Sequence, residues 1–234
     1  MTPDKAMMAD NVAHIRDSIA RAAQAAGRAP EAVLLCAVCK GQSDEAVRLS
    51  AALDIDCLGE NRAQEMLGHH AAGAYLDRPC HFIGHLQTNK VRQVVGRAAL
   101  IQSVDSLRLL QAIDREAGRQ GLTQEILIQL NIGDEDSKTG APVADLWPLL
   151  EAALQSDNLR LRGLMAIPPL ALDPEQSRPY FARMRALYED VKAKGAGGPA
   201  FDTLSMGMTD SYEVAIQEGA SLVRVGRGIF GERG

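Results

Sequence analysis

Eight short apolar runs, separated by segments of helical periodicity, constrain the fold of this chain more than any other feature. We predict strands over residues 33–39, 57–60, 81–84, 100–104, 125–132, 159–167, 203–206 and 222–225. Strands that alternate with helices pair in parallel through right-handed crossovers, and eight such units close naturally into an α/β fold, the (β/α)8 barrel of the TIM type. An open doubly wound sheet is the structural alternative.

An amphipathic helix over about residues 4–27 precedes the first strand, so we expect a barrel with one extra amino-terminal helix. The chain has 234 residues, a size at which an α/β barrel forms a single unit. We therefore expect one domain over residues 1–234. In such a barrel, ligand-binding and catalytic groups gather at the carboxyl ends of the strands.

Composition and charge argue against several classes of partner. Hydrophobic residues make up 46% of the chain and charged residues 24%, as in an ordinary globular protein. The net charge is −5 and the basic residues are scattered, which leaves no basic stripe for nucleic acid. Neither a signal peptide nor an apolar stretch of ~18 residues occurs. We expect a cytoplasmic protein that binds neither nucleic acid nor a membrane.

The chain has four cysteines, Cys36, Cys39, Cys57 and Cys80. Cys36 and Cys39 form a C-x-x-C sequence, but residues three apart in a strand point to opposite faces. His81 and His85 lie roughly 13 Å apart at ~3.3 Å per residue in a predicted strand, too far for one zinc ion. We therefore expect buried cysteines and no metal site.

Lys40 closes the first predicted strand, at the point where a buried run emerges into a loop. A lysine at this place is either a solvated strand end or a reactive amine, and lysine is mostly exposed in proteins. Polar residues also collect at the ends of other predicted strands: Glu60, Asn61, His85, Asp105, Asn131 and Ser205. Lys40 is thus a candidate for chemistry on a ligand at this end of the barrel.

The last two predicted strands end in segments suited to a phosphate group. Ser205 and Met206 lie at the end of the seventh, and residues 226–231 after the eighth match the G-x-G-x-x-G pattern. A dinucleotide fold is excluded, because no crossover helix and no acidic residue ~20 positions further on follow the pattern. In barrels the loops after strands 7 and 8 often hold phosphate, with backbone N–H groups as the cradle. The alternative is that the glycines hold no phosphate and only turn the chain.

Arg224 stands between Val223 and Val225, so its side chain leaves the last strand on the opposite face. A barrel interior rarely holds an unpaired guanidinium, since desolvation costs several kcal/mol. A phosphate, a carboxylate or a pyridine nitrogen would each serve as the acceptor. Alternatively, Arg224 forms a purely structural salt bridge. An amine and a phosphate site in one α/β chain suggest pyridoxal phosphate (PLP) as the ligand.

Seven motifs resemble those of the pyridoxal phosphate homeostasis protein family, whose members are single barrels similar to the amino-terminal domain of alanine racemase. The motifs occur in family order over residues 33–231. They are Ala37-Val38-Cys39-Lys40, Gly59-Glu60-Asn61-Arg62-Ala63-Gln64-Glu65, His81-Phe82-Ile83-Gly84-His85-Leu86-Gln87-Thr88-Asn89-Lys90, Ser137-Lys138-Thr139-Gly140, Gly163-Leu164-Met165, Leu204-Ser205-Met206-Gly207-Met208 and Val223-Arg224-Val225-Gly226.

The resemblance implies a role for several residues. Lys40 would carry PLP as a Schiff base, and Arg224 would face the pyridine nitrogen. Ser205, with the backbone of Gly226 and Arg227, would hold the phosphate. Asn61 and His85 belong to signature segments near the cofactor. Two roles are open for them: direct contact with the cofactor, or hydrogen bonding that shapes the loops.

This chain departs from the family pattern at four positions. The family usually has serine before the lysine and threonine after it, where Cys39 and Gly41 stand. It often has an aromatic residue at the position of Cys80 and a small hydroxyl residue at that of Arg227. The backbone N–H at residue 227 would remain, so we expect the phosphate site to survive.

Residue chemistry favours a carrier of PLP over an enzyme. Schiff-base formation needs a neutral amine, which partial burial of Lys40 near Arg224 would favour. Arginine at the pyridine nitrogen makes the ring a weaker electron sink, which disfavours transamination and decarboxylation. Racemisation needs acid and base groups on both faces of the substrate. In alanine racemases the second group is a tyrosine from a carboxyl-terminal domain, and the sequence ends at Gly234.

We therefore expect a monomeric protein of PLP homeostasis without robust turnover, whose partners include apo-forms of PLP-dependent enzymes. A small amino-acid racemase is the alternative. In a third possibility the barrel binds another phosphorylated metabolite, and Lys40 is only a counter-ion.

Overall fold

The computed structural model describes residues 4–133, 139–169 and 171–231. Its eight strands are β1 (Leu34–Val38), β2 (Cys57–Glu60), β3 (Cys80–Phe82), β4 (Leu100–Val104), β5 (Gln124–Leu130), β6 (Leu159–Ala166), β7 (Thr203–Met208) and β8 (Leu222–Val225). Each strand pairs in parallel with the next along the chain, and β8 pairs with β1 to close the barrel. The predicted (β/α)8 barrel is confirmed, and the open sheet is excluded.

The predicted strands differ from the observed ones by at most two residues at either end. The largest extension is that of β7, which was predicted to stop at Met206 and runs on to Met208. Between Ser205 and Met208 the pairing with β8 shifts register, and Gly207 has φ +93°, a value that glycine adopts without steric cost. An irregularity of this kind has no periodicity that the sequence could reveal.

Nine helices flank the barrel in the described part of the chain. They are α1 (Lys5–Ala25), α2 (Asp44–Ala51), α3 (Ala63–Ala71), α4 (Val91–Val94), α5 (Leu107–Gln120), α6 (Leu146–Leu154), α7 (Arg178–Ala193), α8 (Tyr212–Gln217) and α9 (Arg227–Phe230). Within residues 4–133, 139–169 and 171–231, no helix is both long and apolar enough to cross a lipid bilayer.

The extra amino-terminal helix is present as α1. The Asp4 carboxylate caps it by accepting from the backbone N–H groups of Ala6 and Met7. Its buried apolar face includes Val12 and Ile15, and it packs against α8 and α9. The helix thus lies over the last β/α units of the barrel.

Alternate strand residues face either the barrel interior or the surrounding helices, as β8 illustrates. Val223 and Val225 belong to the large apolar cluster that includes the helices, whereas Leu222 packs only with Cys36 and Cys57 inside the barrel. Arg224 therefore lies on the interior face, as its place between the two valines predicts. A barrel interior is usually filled with branched apolar residues, so a buried arginine there marks a site.

Candidate functional site at the carboxyl end of the barrel

Lys40 lies in a turn just beyond β1, at the carboxyl end of the barrel. The N–H of Gln42 donates to the carbonyl of Cys39 (3.0 Å), and Gly41 has φ +70°. Glycine is suited to this left-handed conformation, which accounts for Gly41 where the family usually has threonine. Lys40 is exposed, whereas partial burial was expected, and none of the described residues holds its ammonium group by a hydrogen bond or an ion pair.

A buried carboxylate and imidazole anchor this turn from behind. His69 of α3 places Nδ1 2.7 Å from Oε1 of Glu60, and Nε2 3.1 Å from the carbonyl oxygen of Gln42. The hydroxyl of Tyr75 donates to the same Glu60 oxygen (3.2 Å). Burial raises the pKa of the Glu60 carboxyl, while the hydrogen bond from His69 acts in the opposite direction. The backbone that follows Lys40 is therefore tied to the core through His69.

Replacing His69 by alanine should lower the free energy of unfolding by about 3 kcal/mol, because the buried Glu60 would lose its ionic partner and keep only the Tyr75 hydroxyl. The adjacent His70 lies on the exposed side of the same helix, so His70→Ala is a matched control with an expected change within about 0.5 kcal/mol. Urea unfolding at neutral pH measures both. Equal losses in the two variants would contradict the anchoring role.

Arg224 begins a chain of hydrogen bonds across the barrel interior. Its guanidinium donates to Oγ of Ser205 and to the carbonyl oxygen of Ala166 (2.9 Å). Oγ of Ser205 lies 2.6 Å from Oε1 of Gln102, and Nε2 of Gln102 lies 2.9 Å from Nδ1 of His81. Four interior residues from four strands are thus connected.

The donors in this chain follow from the chemistry of the guanidinium, which can only donate. Ser205 accepts from Arg224, so its own hydroxyl hydrogen goes to Oε1 of Gln102. The amide nitrogen of Gln102 then donates to Nδ1 of His81, which leaves the imidazole neutral with its hydrogen on Nε2. In agreement, burial and the nearby Arg162 lower the pKa of His81 to about 4.

Arg224 is a buried cation without a carboxylate partner in the described part of the chain. Burial lowers the pKa of its guanidinium to about 10, so the group stays charged at neutral pH. Its acceptors here are a hydroxyl and a carbonyl, both neutral. An electron-rich ligand atom or an anion at the barrel mouth would compensate for its desolvation.

Asn61 and His85 line one cleft beside the mouth, together with Arg62 and Lys90. The amide oxygen of Asn61 is buried and has no hydrogen-bond partner among the described residues. Nδ1 of His85 lies 3.5 Å from Oδ2 of Asp105, and just over half of the His85 side chain is exposed (54%). The structure thus brings Asn61 and His85 together, and Lys40 does not line this cleft.

The end of β7 contributes Ser205 and Met206, both fully buried. The hydroxyl of Ser205 is engaged with Gln102, so its expected bond to a phosphate stays a prediction. The side chain of Met206 packs in the apolar cluster under the helices. Only the backbone of Met206 is therefore available to a ligand.

The end of β8 lies next to the Lys40 turn. A Cβ added to Gly226 would lie 3.4 Å from Cβ of Val38, the last residue of β1. The chain then enters α9 at Arg227, whose guanidinium bonds to the carboxylate of Asp210 at the surface. The side chain of Arg227 is thus held by a residue of the segment that follows β7, and its backbone N–H lies at the start of α9.

Sequence reasoning missed Gln102, His69 and Tyr75. Gln102 left a usable signal, since a polar residue in the middle of an apolar strand marks an interior position with a partner. His69 and Tyr75 left none, because their partner Glu60 lies in a different element. Of the motif residues, Ser137 and Lys138 lie outside the described residues.

These features, a single closed barrel with a lysine just beyond β1 and a buried arginine in β8, define a class of barrel shared with alanine racemase. Residues 11–234 match the alanine racemase N-terminal domain family. An alanine racemase from Streptomyces coelicolor shares the fold with a TM-score of 0.75, at 19% identity, covering 99% of this chain and 59% of that chain.

Relatives with higher sequence identity identify the family within this class. A pyridoxal phosphate homeostasis protein of Pseudomonas aeruginosa is 42% identical over 228 residues, which cover 97% of this chain and 96% of that protein. The structure of PipY from Synechococcus elongatus with PLP bound has a TM-score of 0.83 at 32% identity, and covers 96% of this chain and 100% of that chain. The chain belongs to the pyridoxal phosphate homeostasis protein family, as its motifs predict.

Proposed function

We propose that this protein binds pyridoxal 5'-phosphate as a Schiff base on Lys40 and serves PLP homeostasis without robust catalysis of its own. The observation that carries the proposal is Arg224, a buried cation with neutral partners beneath an exposed, unpaired lysine. The names of the relatives and the PLP bound to PipY support it.

The residues present fit the cofactor. The amine of Lys40 would take the aldehyde carbon, and Arg224 would donate to the pyridine nitrogen. Backbone N–H groups at Gly226 and Arg227 would hold the phosphate at the end of β8. Ser205 would join them once its hydroxyl turns from Gln102, and Met206 would contribute through its backbone.

The mouth beside these groups supplies further polar contacts. Asn61 has a buried amide oxygen in need of a donor, and His85 stands beside Asp105 in the same cleft. We propose that both residues bind the cofactor or shape the loops around it.

When bound, PLP supplies an aldehyde and an electron-withdrawing ring. Arg224 holds its proton, because a pKa of about 10 is far above that of a pyridine, so it donates a hydrogen bond without protonating the ring nitrogen. Ser205 and Ala166 fix the guanidinium in place through two bonds. The chain's own residues thus retain the cofactor and leave its ring a weak electron sink.

Reduction with borohydride after incubation with PLP tests the proposal. We expect about one equivalent of label, mapped by peptide mass spectrometry to Lys40, because this amine has no competing partner in the described chain. If another phosphorylated metabolite is the ligand and Lys40 only its counter-ion, Lys40 will remain unmodified. Label on Lys90 or Lys138 instead would also overturn the assignment.

Amino-acid racemisation is the alternative function, favoured by the alanine racemase domain family and compatible with Arg224. Incubation with alanine or serine in deuterated water separates the two, since racemisation exchanges the Cα proton. We expect essentially no exchange above that of free PLP, since racemisation needs acid and base groups on both faces of the substrate. Exchange that requires intact Lys40 would favour the racemase.

We further propose that the whole of residues 1–234 acts as one cytoplasmic, monomeric binding domain. Its partners would be apo-forms of PLP-dependent enzymes that receive the cofactor.

A further inference from the structure

Three metal-ligating groups meet inside the barrel, in the layer beneath the Lys40 turn. The sulfur atoms of Cys36 and Cys57 and one imidazole nitrogen of His81 lie within 4.8 Å of one another, and all three residues are buried. They come from the adjacent strands β1, β2 and β3, and Cys36 and Cys57 are direct register partners. Bonds of ~2.3 Å to sulfur and ~2.0 Å to nitrogen would require the three atoms to move together by only about 1 Å.

The packing brings the two thiols together in an interior cluster that also contains Leu222. A Cβ on Gly59 would lie 2.8 Å from the sulfur of Cys36, so the glycine leaves room for it. The contact with Cys36, together with burial, raises the pKa of the Cys57 thiol well above its usual value. A bound cation would reverse the preference of the Cys57 thiol for its protonated form.

The local charge also suits a cation held by two thiolates. Cys36 is the register partner of Arg224 on β8, a buried guanidinium without a carboxylate among the described residues. Two thiolates and a neutral imidazole around a divalent ion carry no net charge. Such a centre would add no uncompensated charge to the barrel interior beside Arg224.

His81 can serve as a ligand if the hydrogen-bond chain reorganises at one point. Nδ1 is engaged by Gln102, which leaves Nε2 for the metal. Rotation of the Gln102 amide lets Oε1 accept from Nδ1–H and the amide nitrogen donate to the second lone pair of Ser205, whose own hydroxyl hydrogen then turns away from Gln102. A partner of this kind on the other ring nitrogen orients histidine ligands in metal sites.

We propose that Cys36, Cys57 and His81 bind one Zn²⁺ ion, with an exogenous water as the fourth ligand. Two thiol protons leave to solvent on binding, and the imidazole hydrogen moves from Nε2 to Nδ1. The sequence predicted no metal site because it compared only residues within one strand. Pairing of β1 with β2 and of β2 with β3 brings together one residue from each of three strands.

Metal loading of the reduced, full-length protein tests this proposal. The protein is stripped of metal with a chelator, loaded with Zn²⁺ and passed through a gel-filtration column. We then expect about one equivalent of Zn²⁺ to be retained, as measured by mass spectrometry of the metal. Substitution by Co²⁺ should give the near-ultraviolet charge-transfer absorption of thiolate ligands, recorded as a difference spectrum. A wild-type protein that retains no Zn²⁺, or whose Co²⁺ form lacks this absorption, overturns the proposal without any variant.

Cysteine variants assign the site. Cys36→Ala and Cys57→Ala should weaken Zn²⁺ binding by about 100-fold or more, beyond the 10–100-fold typical of losing only a partner of a ligand. Cys80→Ala is the matched control, because Cys80 is a buried, free cysteine outside the cluster and should leave the affinity unchanged. Circular dichroism checks the fold of each variant. Equal losses in all three variants would overturn the assignment.

Discussion

Replacing Lys40 by alanine is expected to abolish borohydride-trapped PLP and to weaken cofactor retention at least tenfold, or by about 1.4 kcal/mol. The amine forms the covalent bond in the proposed function. The barrel should fold as before, because the side chain is exposed and no described residue bonds to its ammonium group. Absorbance of the bound cofactor after gel filtration, with mass spectrometry of the reduced protein, measures the effect.

Lys90→Ala is the control for this experiment. Lys90 is also exposed and lines the cleft beside the mouth, so the variant removes an equal charge close to the site. It should retain the label of the wild-type protein. Covalent PLP on the Lys40→Ala protein, or its loss from the Lys90→Ala protein, would show that the reactive amine is misassigned.

Gly84→Ala is expected to lower the free energy of unfolding by about 3 kcal/mol, the upper end for overpacked positions. A Cβ at Gly84 would lie 2.1 Å from the backbone oxygen of Asn61, and 2.6 Å from its Cα. Backbone atoms cannot rotate away as a side chain does, so the segments after β2 and β3 must separate. Because Asn61 lines the cleft, PLP affinity should fall as well.

Gly68→Ala provides a matched glycine change elsewhere. Gly68 is exposed within α3, and a Cβ there meets no atom within 4 Å. Alanine in a helix interior should raise stability by about 0.5–1 kcal/mol. Urea unfolding compares the two variants, and a Gly84→Ala protein as stable as Gly68→Ala would refute the steric explanation.

Much of the barrel could be predicted from the sequence because the patterns that identify its strands are local. An apolar run of about five residues between helical segments identifies a strand wherever it lies in the chain. Alternation within β8 is equally local, and it places Arg224 inside the barrel before any partner is known. The motif around Lys40 places the lysine at the strand end in the same way.

The strand ends were less predictable, as β3 and β7 show. The motif that follows β3 reads as an extension of the strand to Gly84, but pairing stops at Phe82 because the next segment packs against the backbone of Asn61. β7 continues through Gly207 because β8 supports it. Both outcomes depend on neighbours that are distant in the sequence.

The sequence by itself determined the α/β barrel, the family, the interior place of Arg224 and the position of Lys40 at the carboxyl end. Only the tertiary structure decided which side chains meet. Ser205 bonds to Gln102 across 103 positions, His69 reaches back to the turn after Lys40, and the pairing of β1, β2 and β3 gathers Cys36, Cys57 and His81. The physical reason is that alternation fixes the face on which a residue lies, whereas strand register and barrel closure fix its neighbours.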